Sequence, residues 1–568
     1  MNERTKTGLE ILQVSALIGV LGNILLRQTP WGLNAFLFVA AFVAAMLMLM
    51  RKRRPELLTK TSVSLSAAMF FFASMFLIRD SIELRVYDTF AIVILMGVMM
   101  LGNFGVKAHL GGAFHYVCGF IWSGITSALG PIVLLAADIE WSAMPGGRIS
   151  KNLFSVLRGL AIALPLLLIF GGLFMAADAA FEGLVNRAIN FDLQILVSHV
   201  LLTSLLAWLT AGYFRGTITK FPVNVASPAA EANVKAEETP ASFVAEVVAE
   251  RTENSAGLPD NATILEYINR SDPPNAKTSE TKKKVDWQNF DNSAIPSAFT
   301  FGTIETVLVL GLVDLLFLAF VIVQIPYLFG GMEFVQTTPD FKLADYARRG
   351  FGELVVVAAL VLPVLLASHW LLRRDKELPE RVFKILAGIQ IALLFVIMAS
   401  AVQRLLLLTG ELGYGLTTVR FYPMVVMIWL AVVFVWFTLT VFRGARNRFA
   451  WGALWSAIVV LAATNLMNPD AFIARTNIAL MNQGRDFDAS YNAYLSADSI
   501  PTLLIGLPTM SAEDQCYVKW ELHNHFNELG KTNDLRSLNF SRRTAFFALR
   551  GSDAMLHQRE GCPTWMQP

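Results

Sequence analysis

Eleven long apolar runs recur along this chain, and they limit its fold more than any other feature. They cover residues 9–26, 33–50, 62–78, 90–106, 160–177, 193–214, 307–328, 354–372, 382–408, 421–442 and 450–466. Each is close to the roughly 20 residues a helix needs to cross a bilayer. With no water in the hydrocarbon core, the backbone of such a run satisfies its polar groups internally as a helix. The pattern predicts an all-α, polytopic transmembrane helical bundle of about 11 spans. Only 16% of the residues are charged, against about 25% in a soluble domain. The net charge of +2 comes from basic residues in loops between apolar runs, which argues against nucleic acid as a partner. Membrane lipids are the expected surroundings.

A twelfth apolar stretch, 114–137, is ambiguous: it holds His115, Cys118, Ser123, Thr126 and Ser127, and Gly130-Pro131 breaks its second half. Loop charge bears on it. Arg51–Lys60 carries five basic residues, 372–384 carries Arg373, Arg374, Lys376, Arg381 and Lys384, and 443–448 carries three. Short basic loops stay cytoplasmic, and these three share a side only if 114–137 crosses zero or two times. It is therefore expected to be an interfacial or re-entrant helix on the inner side, a fully crossing twelfth span being the rival. The N-terminus is then cytoplasmic and the C-terminal tail outside.

Four regions follow: a membrane half at 1–214 with six spans plus the interfacial helix, a linker at 215–300, a second membrane half at 301–467 with five spans, and an exported helical tail at 468–568. The linker mixes charges, prolines and few aromatics, a composition that cannot bury a core and predicts disorder. A partner-docking arm is the alternative reading, so protein partners through linker and tail stay open. The tail predicts one helix from Ala512 to Leu529, capped by Ser511, and a second over 541–550. Its two cysteines, Cys516 and Cys562, permit a disulfide in an oxidising compartment, or remain two free thiols.

Ionisable groups inside spans point to sites by default. His199 fits an interhelical hydrogen bond; Asp314 fits either an interhelical pair or a cation or proton site. The topology gathers Asp178, Glu182, Tyr346, Arg348, Arg349, Glu353, Arg420 and Arg475 on the outer face. Arginine suits carboxylate or phosphate, so this set is a candidate pocket for an anionic ligand or lipid headgroup, or else an ion-pair network fastening loops and tail. His523 and His525 lie two apart on a helix and point to different faces, so no metal is expected. No cofactor fingerprint, nucleophile elbow or HExxH is present, which argues against an enzyme and assigns no catalytic residue.

Several stretches resemble the DUF4173 family of bacterial membrane proteins, formerly grouped with DUF4153. They are Arg158-Gly159-Leu160-Ala161, Asp345-Tyr346-Ala347-Arg348-Arg349-Gly350-Phe351, Gly415-Leu416-Thr417-Thr418-Val419-Arg420, Asn468-Pro469-Asp470-Ala471-Phe472, Leu495-Ser496-Ala497-Asp498 and Leu538-Asn539-Phe540-Ser541. The resemblance covers roughly 158–550 apart from the linker. It implies a multi-pass protein of a bacterial inner membrane, of unknown function. The expected role is binding or transport of an anionic ligand or lipid. The alternative is a structural or regulatory envelope protein with no small-molecule substrate.

Overall fold

The computed structural model describes residues 2–141, 193–219, 300–329, 351–372, 377–406, 409, 415–531, 534–559, 561–563 and 566. Among them regular structure is helical, apart from one isolated bridge between Phe301 and Leu372. The chain divides into two compact units, 219–290 and the remainder. From residue 220 the first lies outside the described residues, and so does the expectation of a disordered linker.

The apolar runs become long helices: α1 Glu3–Leu26, α2 Leu33–Arg53, α3 Lys60–Ile78, α4 Ile82–Met100, α5 Ala113–Val133, α6 Leu193–Ile218, α7 Thr303–Phe329, α8 Phe351–Leu371, α9 Glu377–Leu406, α10 Thr418–Thr440 and α11 Phe449–Met467. Eleven helices among the described residues are long and apolar enough to cross a membrane. The sequence count also reaches eleven, but by another route. It includes 160–177, which lies outside the described residues, and omits α5.

Local sequence sets the helix ends. Thr59 and Ser62 open α3 with a reciprocal capping box, Ser62 N–H donating to Thr59 Oγ1 at 3.2 Å and Thr59 N–H to Ser62 Oγ at 2.9 Å. Leu308, Leu312, Leu315 and Leu316 of α7 are each more than half exposed. In water this stripe would be an aggregation liability; in lipid it is the solvated face. Small residues allow close packing between spans. A Cβ on Gly19 of α1 would stand 2.6 Å from the Thr203 carbonyl oxygen of α6.

Ion pairs define one end of the bundle. Arg53 at the end of α2 binds Glu10 and Glu3 of α1, and Arg54 donates to Asn103 and to the carbonyl of Ile218. The loop at Arg446–Arg448 packs beside Ala108–Leu110, and Trp370 near the end of α8 stacks on Phe114 of α5. The described parts of the three basic loops thus lie at one end.

The α5 helix packs against α4 and α6. Gly97, near the end of α4, faces Phe120, and Gly212, near the end of α6, faces Thr126 and Ser127. Asp138, in the π-turn that follows α5, bonds Arg4 of α1 at 2.6 Å and Arg215 of α6 at 2.6 Å. From Ala113 to Asp138 the helix runs without a break, about 37 Å at 1.5 Å per residue, and it is one of the eleven helices long and apolar enough to cross.

At the opposite end sits the tail: α12 Pro469–Met481, α13 Ala489–Ala493, α14 Ile500–Gly506, α15 Ala512–Lys531, α16 Phe540–Gly551 and α17 Asp553–His557. Asn468, at φ 60°, turns the chain from α11 into α12, caps it through Ala471 N–H, and is followed by Pro469 in the first turn. The tail core of Leu503, Leu507, Val518, Leu522, Ala545 and Leu549 also takes in Leu84 of α4 and Phe421 of α10. Phe526 stacks on Phe546 with ring centres 5.2 Å apart, and a disulfide joins Cys516 to Cys562 at a Cα separation of 5.7 Å.

Candidate functional site

The three residues between α3 and α4, Arg79-Asp80-Ser81, are the seat on which the tail rests. The Arg79 N–H closes α3 on the Met75 carbonyl, whereas the N–H groups of Asp80 and Ser81 need acceptors from elsewhere. Asp498 supplies them. Its Oδ2 accepts Asp80 N–H at 2.6 Å and Ser81 N–H at 3.1 Å, and its Oδ1 accepts the Ser541 hydroxyl at 2.6 Å and pairs with Arg79 at 3.4 Å. Asn539, which caps α16, donates to the carbonyls of Phe76 and Arg79. Arg542 donates to the Trp31 carbonyl at 2.8 Å and pairs with Asp80 at 3.3 Å. Asp80 also binds Arg85.

Beside this seat lies a cavity of about 820 Å³ between the bundle end and the tail. Its wall carries five carboxylates, Asp80, Glu83, Asp470, Glu521 and Glu528, against Arg85, Arg542 and His525. Both arginines pair with Asp80, which leaves the rest of the wall acidic. Asp470 is 2% exposed. Its Oδ2 accepts the Ser496 hydroxyl at 2.5 Å, whereas its Oδ1 is buried with no hydrogen-bond partner among the described residues. Buried polar atoms are rarely left so. Burial pushes the Asp470 carboxyl up to about 6, the Ser496 hydroxyl pulls it back, and Asp498 and Glu83 add to the rise.

A second space lies about one helical turn further along α4 and α10. It is an apolar groove of about 200 Å³ between α4, α10 and α11, lined by Tyr87, Phe90, Ile94, Trp429, Leu454 and Leu461, among others. Tyr87 and Tyr422 form its upper rim, with ring centres 5.3 Å apart. Each stands one helical turn from a cavity residue, Tyr87 from Glu83 on α4 and Tyr422 from Thr418 on α10. The Tyr422 hydroxyl reaches Ser81 Oγ at 3.3 Å. Polar cavity and apolar groove therefore follow one another along the same helix faces.

The residues expected from sequence fall unevenly on this arrangement. Asp178, Glu182, Tyr346, Arg348 and Arg349 lie outside the described residues. Arg420 donates to the Gly415 carbonyl at 2.5 Å. Arg475 is exposed on α12 and Glu353 is exposed in the first turn of α8. None of these three lines the cavity. His199 meets the Asn23 amide at 2.8 Å, joining α6 to α1. Asp314 is buried on α7 and, among the described residues, neither carboxylate oxygen has a hydrogen-bond partner; the same holds for the Gln390 amide on α9.

Asp80, Asp498 and Arg542 escape a linear reading because each seems an ordinary loop or tail charge. Asp470 and Asp498 do sit in motifs that the sequence makes conspicuous. The pairing of Asp498 with a loop some 400 residues earlier is a tertiary fact.

The chain matches the domain of unknown function DUF4153 over residues 65–249 and 267–504. The match opens inside α3, earlier than the resemblance suggests, and closes inside α14, before α16. No curated protein and no solved structure matches. With the matched segments spanning most of its length, from the seat at Asp80 through Asp470 and Asp498, the chain belongs to the DUF4153 family.

Proposed function

We propose that this membrane protein binds an amphiphile, a lipid or lipid-like molecule with a positively charged head, at its tail-capped end. The observation that carries the reading is Asp470 Oδ1, buried in the wall of an acidic cavity without a partner among the described residues. A ligand ammonium would supply the missing donor and balance the surplus carboxylates. The adjoining groove between α4, α10 and α11 would take the apolar chain. The lipid reading of the sequence is kept, with the charge reversed for this cavity. The anionic version rests on Arg348 and Arg349.

The orientation belongs to the same proposal: basic loops cytoplasmic, cavity and tail outside. It is supported by the three basic loops at one end and by a disulfide in the tail, which suits an oxidising compartment.

The test compares dodecyl amphiphiles with ammonium, phosphate or sugar heads in thermal-shift assays on the purified protein. The ammonium head is expected to raise the melting temperature of the wild type and not of Asp470→Asn. Equal shifts from all three heads, or an unchanged response in the variant, would overturn the proposal.

One observation favours a second, structural reading. Asp498 is fully engaged in clamping the tail to the α3–α4 loop. In that reading the polar cluster is a fastener alone, and no amphiphile shifts the melting temperature.

A further inference from the structure

The tail carries another cluster, separate from the cavity. His523 lies midway along α15. Asp553 and His557 lie one turn apart on α17 and so share a face. One donor atom from each falls within 4.8 Å of the other two. The two imidazoles stand edge to face with centres 5.0 Å apart.

Two details set this cluster apart from a chance meeting of surface polar groups. His523 Nδ1 is buried and has no hydrogen-bond partner among the described residues. His557 Nδ1 lies 2.9 Å from the Asp553 carbonyl oxygen. A carbonyl only accepts, so Nδ1 carries the proton and Nε2 keeps its lone pair. Fixing an imidazole through its other nitrogen is how proteins orient metal-binding histidines.

The frame around the cluster is braced. The Cys516–Cys562 disulfide ties α15 to the segment after α17, and Lys519 Nζ donates to the Gln558 carbonyl at 3.0 Å. Arg559 lies nearby, but its guanidinium is turned onto the carbonyls of Leu556 and Met566.

We infer that His523, Asp553 and His557 form a binding site for a zinc-class divalent cation. Two imidazoles and one carboxylate are a borderline-soft set suited to zinc. Bonds of about 2.0–2.2 Å place tetrahedral ligands roughly 3.4 Å apart, so the side chains close by about 1 Å onto the ion. His557 is exposed, leaving the fourth position to water. The sequence hides this site because its two histidines are 34 positions apart and only the α15–α17 contact unites them.

The test uses the full chain in detergent, stripped with chelator and kept oxidised so that Cys516 and Cys562 offer no thiolates. Zinc is titrated by calorimetry. One site per chain is expected, with at least tenfold weaker binding in both His557→Ala and Asp553→Asn, and unchanged binding in His525→Ala. The two weakened variants should melt with the wild type when zinc is absent, which separates ligand loss from unfolding. The inference fails if wild-type binding does not saturate. It fails equally if His525→Ala abolishes binding that His557→Ala retains, since that result moves the ion to the carboxylate cavity. It rests on none of the cavity residues, so the amphiphile reading stands or falls separately.

Discussion

Asp498 accepts the backbone N–H of Asp80 at 2.6 Å across 418 positions of sequence. With Ser81, Arg79 and Ser541 also on this carboxylate, one side chain joins the first third of the chain to its tail. Asp498 is only 4% exposed. Asp498→Ala therefore leaves the Asp80 and Ser81 N–H groups without their acceptor, at about 2–5 kcal/mol together, while Arg79 keeps the carbonyls of Asn465 and Leu466. A lowered melting temperature, together with protease cleavage in the tail ahead of the bundle, is the expected outcome. Wild-type resistance in the variant would contradict it.

Asp470 makes stability depend on pH in a definite direction. The folded carboxyl is raised to about 6 from an unfolded value of about 3.9. Between these values the folded state holds a proton that the unfolded chain releases. The stabilisation is complete below about pH 4 and is lost as pH rises through about 6, a change of about 2–3 kcal/mol. Asp470→Asn should flatten that part of the melting profile. Binding of a cationic head should run the other way and strengthen as Asp470 ionises.

The Cys516–Cys562 bond closes a loop with a sequence separation of 46. Its reduction should lower tail stability by about 2–4 kcal/mol. Hydrogen exchange should show faster opening of α15 and α17, with α1 to α4 unchanged.

Gly212 lies where α5 and α6 meet. A Cβ there would overlap the carbonyl oxygens of Thr126 and Ser127, whereas one on Gly124 would meet nothing within 4 Å. Gly212→Ala should cost about 1–3 kcal/mol through overpacking, and Gly124→Ala should stay within about 0.5 kcal/mol. Equal melting temperatures would show that α5 is not seated on α6.

Orientation can be read by labelling. In a Cys118→Ser background, Tyr494→Cys in the tail is expected to react with an impermeant thiol reagent on intact cells. Arg446→Cys in the basic loop should react only after permeabilisation. Reaction of both from one side would break the proposed topology.

The spans were legible because a bilayer demands long apolar helices, and such runs survive in linear sequence. The helix α5 was legible as apolar but not as a span, because Gly130-Pro131 and its hydroxyl residues interrupt the run; its contacts with Gly97, Gly212 and Arg215 come from distant parts of the chain. The cavity was legible only in part. Asn468-Pro469-Asp470 stood out as a motif, but nothing local says that Asp470 would lose a partner on folding. Asp80 and Arg542 look solvated in sequence, and their burial depends on two distant helix ends meeting. Ile458 shows a similar limit. It belongs to the last span of the second half yet packs in the core of the first.

The clamp at Asp498 also imposes an order on biosynthesis. The α3–α4 loop is made early, while Asp498 leaves the ribosome more than 400 residues later. Until then the Asp80 and Ser81 N–H groups wait without their acceptor, and the early helices form an unfinished product. A chain cut short after α11 would therefore keep every apolar helix described here and still present quality-control proteases with an open charged surface.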